Sequence, residues 1–354
     1  MHFFRMVKSE VRRLFSDKKF LITFFAVFAF FIVMITVVLF RIPMDNTPLV
    51  KEDLNEDLVR WQRNYEENRA IYLYLIGEGE NPDGNGVYFG GAKTYKRDME
   101  FFRFLLSEAS TDPYMYYDFD FEMGNMLAAY RGFYTMMLIL KFAFYPLIIF
   151  AVISAVVTVV SPYEKGVMKN YLAAPMGKRT VMGGKLFVLA AINFIFWLII
   201  FIWGFIIGAG NAQIKVLFYS GERYYAQPAL ATYTMVMFQL LVAMLFVAAL
   251  TVFIGQFVKK SLATGVSSAF AVIAVYCLCA IVFGVAPWEL LDYLDLGFAN
   301  CFPIINLSGV FQSVYDYRMW VAILFHLLVG AGMVAFIILW QTRGEKRRFV
   351  PKSQ

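Results

Sequence analysis

The sequence predicts an all-α polytopic membrane protein. It would have six transmembrane helices, an N-terminal interfacial elbow helix and a mainly helical extracellular insert between helices 1 and 2. Composition is the first observation behind this fold class, since 60% of the 354 residues are hydrophobic and only 16% are charged. Soluble domains carry about 25% charged residues. Segment length is the second, because six apolar segments reach the roughly 20 residues that a helix needs to cross a bilayer. They are 20–40 (TM1), 134–160 (TM2), 186–208 (TM3), 229–254 (TM4), 262–286 (TM5) and 319–340 (TM6).

Charge on the connecting segments predicts the orientation of these spans. With the N-terminus inside, the inner segments hold 18 Lys and Arg against 4 acids, and the outer segments hold 13 against 22. An excess of Lys and Arg marks the inner loops of membrane proteins. We therefore expect a multi-pass protein of the cell membrane with both termini in the cytoplasm.

The N-terminal segment 1–19 is predicted to be a short amphipathic elbow helix that lies in the inner membrane interface. Its apolar residues follow helical spacing, and they are Phe3, Phe4, Val7, Val11, Leu14 and Phe15. Its cations supply the other face, and they are Arg5, Lys8, Arg12, Arg13, Lys18 and Lys19. The alternative is a basic flank that only fixes the orientation of TM1.

The segment 41–133 is predicted to be the extracellular insert. Within it, 51–75 and 94–108 have the composition and apolar spacing of helices. We expect the insert to cap the outer face of the spans, and a surface that captures a ligand is the alternative. Farther along, 287–318 is apolar but broken by Pro and Gly, which predicts a re-entrant or interfacial segment on the outer side. The end of the chain, 341–354, is predicted to be a basic cytoplasmic tail.

The sequence lacks the motifs of most catalytic sites. No Walker A sequence, no H-E-x-x-H and no G-x-S-x-G is present, and two histidines give little material for acid–base chemistry. We therefore expect no catalytic, cofactor or metal site in this chain, and no binding of nucleic acid. Ionisable residues inside the spans are also rare, with Lys141 the one candidate, whereas ion-coupled carriers keep such groups for coupling. Either the protein is passive or sensory, or a partner supplies its energy.

The connection 161–185 is the candidate site for that partner. It carries five Lys and Arg against one acid, Glu164. We expect a short helix at 167–173, with Glu164 complementing its dipole and Gly166 allowing a close approach of backbones. An apolar stripe on this helix could enter a groove of a soluble partner. We expect Lys185, with the other cations, to lie at the lipid headgroups. The candidate docking residues are Glu164, Gly166, Met168, Tyr171, Leu172, Pro175, Lys178 and Arg179. The alternative is a plain turn between two spans.

On these residues the sequence resembles the ABC-2 type permease subunits of ABC transporters. Their inner loop between spans two and three carries a coupling helix, preceded by an acid and a Gly and followed by a Pro, basic residues and a Gly-Lys pair. The matching positions here are Glu164, Gly166, 167–173, Pro175, Lys178, Arg179, Gly184 and Lys185. The resemblance covers most of the chain except 41–133.

The resemblance implies the transmembrane subunit of an ATP-driven exporter in a bacterial cell membrane. ATP and Mg would bind to a separate ABC ATPase subunit, expected in two copies, and a second identical or related permease chain would complete the complex. The apolar character of the chain, with its 38 Phe residues, favours an amphipathic or lipophilic cargo such as a peptide, a lipid or a drug-like molecule. A membrane sensor or assembly protein that binds a ligand through 41–133 is the alternative, and an ion-coupled carrier is a third reading.

Overall fold

The computed structural model describes most of the chain. The described residues are 2–41, 44–45, 51–82, 84, 88, 92–108, 116–118, 126–127, 131–166, 178–211, 214–219, 224–285 and 319–346. The predicted re-entrant segment 287–318 lies outside them, as does most of the predicted tail.

Helices make up most of the described chain. They are α1 (His2–Ser16), α2 (Lys18–Arg41), α3 (Lys51–Leu75), α4 (Ala92–Ser107), α5 (Arg131–Ala155), α6 (Ser161–Glu164), α7 (Lys178–Gly208), α8 (Ala229–Val258), α9 (Ser261–Val285) and α10 (Met319–Lys346). A π-helical turn, Val156–Val160, joins α5 to α6 without a break. The strands are β1 (Met44–Asp45), β2 (Tyr116–Asp118), β3 (Met126–Leu127), β4 (Lys215–Tyr219) and β5 (Tyr224–Pro228).

Four of the described helical stretches are long and apolar enough to cross a membrane. They are Phe20–Val37, Leu138–Glu164, Arg179–Gly208 and Ala229–Val258. Two shorter apolar stretches, Ser261–Ala274 and His326–Trp340, lie within α9 and α10. The described residues therefore support a helical membrane protein, while the count of six spans stays a prediction.

The core of the bundle forms around α8, which packs against α5, α7, α9 and α10. Buried polar side chains join it to α7. The Trp197 indole donates a 2.7 Å hydrogen bond to the Met237 carbonyl, and the Tyr233 hydroxyl donates to the carbonyl of Phe201 at 3.1 Å. Gly204 makes room for Tyr233, because a Cβ there would overlap the phenol. Small residues and interhelical hydrogen bonds of this kind hold helices together in membranes.

The two ends of the bundle carry different structures. At one end, which we call the loop end, lie α1, α6, the start of α7 and the two-residue turn between α8 and α9. At the other, which we call the insert end, α3 and α4 pack together as a helical pair. A three-stranded sheet also lies there, in which β2 pairs in parallel with β4 and β4 pairs antiparallel with β5.

The strands were not predicted, and they connect the insert to the bundle. Successive strand residues face opposite sides of a sheet. In β4, Val216 belongs to the core of the bundle and Leu217 to a separate cluster in the insert. That cluster also contains Trp61, Phe101 and Tyr224. The connection between α7 and α8 therefore supplies part of the insert's own core, through Leu217 and Tyr224.

At the loop end, the predicted connection 161–185 is shorter than expected. The helix that begins as α5 continues through the π turn to Glu164, and α7 already begins at Lys178. Helical backbone thus occupies both ends of the predicted loop. The segment 165–177 is what remains between α6 and α7.

Candidate functional site

The candidate docking residues are divided by the limits of the described chain. Glu164, Gly166 and Arg179 are described, and Arg179 is exposed in the first turn of α7. Lys178 is the first residue of α7. The predicted docking helix lies outside the described residues, and with it Met168, Tyr171, Leu172 and Pro175. The structure therefore shows the two flanks of the candidate site.

On the first flank, the carboxylate of Glu164 reaches the start of α9. Its Oε2 accepts a 3.0 Å hydrogen bond from the backbone N–H of Ser261, the first residue of that helix. The N–H groups of a first helical turn have no partner within their own helix, and negative charge is favourable there. The ammonium groups of Lys165 and Lys260 also interact favourably with the carboxylate. Sequence reasoning assigned Glu164 to the following helix and missed this contact with α9.

Gly166 is required for a reason other than the predicted close approach. Its φ is +70°, and a Cβ at this position would meet no atom within 4 Å. The left-handed region costs a residue with a Cβ free energy but is open to glycine. The Gly166 N–H donates to the Tyr163 carbonyl at 3.2 Å, as in a helix C-terminal cap. Gly166 thus ends α6 and sets the direction in which the loop leaves it.

On the second flank, α7 is held by α1 through a buried ion pair. Glu10 of α1 and Lys185 of α7 are both fully buried, and the Lys185 ammonium donates to Glu10 Oε1. Lys185 Nζ also donates to the carbonyl of Thr158 at 3.2 Å. The prediction that Lys185 lies at the headgroups is wrong. A buried charge is tolerated when it is paired and hydrogen-bonded, and Lys185 meets both conditions.

Arg13 completes this cluster. Its Nε donates to Glu10 Oε2 at 2.7 Å, and its Nη2 donates to the carbonyls of Val157 and Thr158 at 3.4 and 3.3 Å. Both carbonyls belong to the π-helical turn. The cluster of Glu10, Arg13 and Lys185 therefore joins three elements, which are α1, α7 and the π turn that follows α5.

The face that α1 turns to the bundle matches the predicted apolar face only in part, because Leu14 is buried and Val7 and Val11 pack against the core, as predicted. Met6, Glu10 and Leu14 are the buried residues, spaced one helical turn apart, whereas Phe4 and Phe15 are exposed. A Cβ at Gly184 of α7 would lie 2.9 Å from Met6 Cγ, so glycine lets the two helices approach closely. An acid in line with two apolar residues was the signal that could have identified Glu10 from sequence.

The predicted cations of the elbow are placed in two ways. Arg13 turns toward the bundle, as described above. Arg5, Lys8, Arg12 and Lys18 are exposed, and Lys19 has no described side chain. Placement of these cations in a lipid interface stays a prediction.

An apolar groove runs along the bundle between α5 and α9. Its volume is about 940 Å³. One wall comes from α5 and the π turn, and the other comes from α9. The lining residues include Tyr145, Ile149, Val152, Val157, Leu262, Gly265 and Ile273. Ser261, whose backbone N–H donates to Glu164, lies at the loop end of this groove.

Comparison with known proteins identifies the family of the chain. The family described as ABC-2 family transporter protein matches residues 5–317. Glu10, Glu164, Lys185 and Ser261 all lie within the matched region. No curated protein and no solved structure matches the chain at a significant level.

Proposed function

This chain belongs to the ABC-2 transporter family, and we propose that it is the transmembrane permease subunit of an ATP-driven exporter. Membership makes it a multi-pass membrane protein and a subunit that is not itself catalytic, and it implies partnership with an ABC ATPase subunit. We propose that two copies of the ATPase bind ATP and Mg, and that a second identical or related permease chain completes the transporter. The protein would lie in a bacterial cell membrane with six spans and both termini in the cytoplasm.

The observation that carries the export proposal is the groove between α5 and α9. Its volume, about 940 Å³, is at the upper end of the roughly 300–1,000 Å³ of small-molecule sites. Within its lining, aliphatic side chains such as Ile149, Val152 and Val266 predominate. An apolar surface of this kind favours the acyl chain of a lipid, an apolar peptide or a drug-like molecule. We propose that the cargo is amphipathic or lipophilic and moves along this surface.

Energy would enter through the segment 165–177 and the residues that frame it. The candidate contacts with the ATPase remain Glu164, Gly166, Met168, Tyr171, Leu172, Pro175, Lys178 and Arg179. Closure of the ATPase subunits on ATP would push on this segment and tilt the helices beside it. The helix α6 ends at this segment and α7 begins at it. A push there would therefore act on α7 directly, and on α5 through α6 and the π turn.

Reconstitution tests this proposal. The full chain is co-expressed with the ABC ATPase encoded nearest to its gene, purified, and placed in liposomes with a fluorescent lipid or apolar peptide. We expect the ATPase to co-purify and the probe to move only with ATP. A change of Pro175, or Glu164→Lys, should abolish coupled ATP turnover without loss of membrane insertion.

A pair of matched variants tests the groove itself. Ile149 lines the groove and is 45% exposed, and Ile202 on α7 is 46% exposed and does not line it. Ile149→Trp should reduce transport of the probe while Ile202→Trp leaves it unchanged, with the ATPase bound in both. Equal transport by the two variants would contradict a route along the groove.

Two other outcomes would replace the proposal. Transport that survives removal of ATP and collapses with an ion gradient would identify an ion-coupled carrier. Absence of any associated ATPase, with silent Glu164 and Pro175 changes, would favour a membrane sensor or assembly protein that uses the insert 41–133.

A further inference from the structure

At the loop end of the groove, a polar contact joins its two walls. The α5 wall continues without a break through the π turn into α6, which ends at Glu164. The α9 wall begins at Ser261. Since Glu164 Oε2 accepts the Ser261 N–H at 3.0 Å, a hydrogen bond joins the last residue of one wall to the first residue of the other.

The α9 side of this contact is fixed to α8. Only Lys259 and Lys260 separate the two helices. Lys259 adopts φ +58°, and its N–H donates to the Gly255 carbonyl at 3.1 Å, which closes a tight turn. A Cβ at Gly255 would lie 2.5 Å from Val160 Cγ2 of the π turn. The start of α9 is therefore held closely beside the end of the α5 wall.

The α6 side of the contact adjoins the loop. Lys165 donates its N–H to the Ser161 carbonyl at 3.0 Å, and Gly166 follows in the left-handed region. Glu164 is thus the last helical residue before the segment 165–177. Among the residues of α6, Glu164 is therefore the one nearest to that segment along the chain.

The contact lies at the solvent-exposed surface of the loop end. Glu164 is an exposed residue, and solvent can replace either partner of an exposed hydrogen bond at small cost. Such a contact can be broken and formed again within a working cycle. The groove beneath it is lined by apolar residues such as Val157, Leu262 and Gly265, which offer no other hydrogen bond from their side chains across the gap.

We propose that Glu164 is a positioning residue that holds the two walls of the groove together at the loop end, through its hydrogen bond with the Ser261 N–H. This inference rests on the proposed function, because it takes the groove as the path of the cargo. It goes further by naming the atom pair that joins the two walls.

Spin labels on the two walls test the proposal in the full-length chain. The three cysteines, Cys277, Cys279 and Cys301, are first replaced by Ser. One labelled pair, V157C with L262C, reports on the loop end of the groove. A second pair, Y145C with I273C, reports on the opposite end of the same two walls. Dipolar coupling between the labels then measures each separation without the ATPase.

We expect Glu164→Ala to raise the population with separated labels at the loop end by about two- to fivefold, the range for a surface charge at a helix N-terminus. The pair at the opposite end should not change. Glu164→Gln keeps an acceptor oxygen of the same reach but loses the charge, so it should restore only part of the contact. Glu164→Asp has a shorter side chain and should behave like Glu164→Ala. Glu67→Ala, on the exposed surface of α3, is the control and should alter neither pair.

Unchanged separation at the loop end in Glu164→Ala would overturn the proposal. An equal change of both pairs would also overturn it, since that result indicates loosening of the whole bundle. The labels report on the walls alone, so a failure here leaves the proposed transport function intact. Conversely, absence of a co-purified ATPase would contradict the transport function and leave the label result unaffected.

Discussion

At the loop end, two carboxylates bind the elements on either side of the segment 165–177, and they differ in burial. Glu10 is fully buried and binds Lys185 and Arg13, both cations. Glu164 is exposed and accepts a hydrogen bond from the backbone N–H of Ser261, with the ammonium groups of Lys165 and Lys260 in its surroundings. The first contact joins α1 to α7 and the second joins α6 to α9. One flank of the segment is therefore fixed inside the protein, and the other is held at its surface.

The difference teaches which flank can move. Separating a buried ion pair leaves charges without partners in a medium of low dielectric constant, which costs several kcal/mol. Separating a surface hydrogen bond lets water take both places. A push on the segment 165–177 would thus leave α1 and α7 together and change the distance between α6 and α9. The four predictions below test this contrast, from the largest expected effect to the smallest.

Glu10→Gln should have the largest effect on stability. The amide keeps the size of the side chain but leaves Lys185 and Arg13 without a counter-charge, so we expect the free energy of unfolding to fall by about 3–5 kcal/mol. Thermal unfolding of the full chain in detergent measures the change. The same substitution at Glu67, which pairs with Arg63 on an exposed surface, should cost no more than about 0.5 kcal/mol.

A double substitution tests whether the loss of stability comes from the unpaired ammonium of Lys185. Glu10→Gln combined with Lys185→Met removes both members of the pair and should recover part of the lost stability, because no lysine ammonium then remains buried. Equal stability of Glu10→Gln and the parent chain would show that the Glu10–Lys185 contact does not hold α1.

Gly184→Ala should be the next largest effect when compared with Gly183→Ala. A Cβ at Gly184 would lie 2.9 Å from Met6 Cγ, whereas one at Gly183 would meet nothing within 4 Å. Both changes gain helix propensity equally, so their difference reports the packing of α1 on α7. We expect Gly184→Ala to be less stable than Gly183→Ala by about 1–3 kcal/mol in the same unfolding measurement. If the two were equally stable, close packing of α1 would be contradicted.

Gly166→Ala tests the backbone on the other flank. With φ at +70°, an added Cβ should cost about 1–2 kcal/mol, although it would touch no neighbour. Gly166→Asn should cost less, since Asn tolerates the left-handed region better than Ala does. Thermal unfolding compares the three chains. A smaller loss for Ala than for Asn would show that the left-handed conformation is not what requires glycine.

Glu164→Ala should have the smallest effect on unfolding, below that of Gly166→Ala, because the carboxylate is exposed. Its influence on the separation of the groove walls should also weaken with salt, since the Debye length falls from about 10 Å at 0.1 M to about 3 Å at 1 M. The loss of stability caused by Glu10→Gln should persist in 1 M salt, because Glu10 and Lys185 are buried. If high salt abolished both this loss of stability and the effect of Glu164→Ala on wall separation, the contrast between the two flanks would be contradicted.

The sequence predicted well those features that depend on long, local patterns. Apolar runs located the spanning stretches Phe20–Val37 and Ala229–Val258, and the basic flank predicted a helix where α1 lies. The face of α1 was harder to predict. Its spacing favoured the side with Phe4 and Phe15, but both are exposed and the acid Glu10 is buried, because its partner, Lys185, lies 175 residues away.

The candidate site was predictable only in part for the same reason. Glu164 was singled out as an acid before a loop, but its acceptor role depends on Ser261, 97 residues farther along the chain. Gly166 was singled out as a glycine, but only the backbone shows that its φ is positive. The strands β4 and β5 have the aromatic residues typical of strands. They were not predicted because each is only five residues long and both lie in a short connection between two apolar helices.

The two-faced strand β4 has a consequence for the order in which the protein assembles. The core of the insert needs Leu217 and Tyr224 beside Trp61 and Phe101, and β2 needs β4 as its partner. Leu217, Tyr224 and the whole of β4 emerge from the ribosome only after α7 has been made. Long-range pairings of this kind form late, because the intervening chain must first be closed into a loop. The insert, although early in the sequence, can complete its fold only when the third and fourth bundle helices are being synthesised.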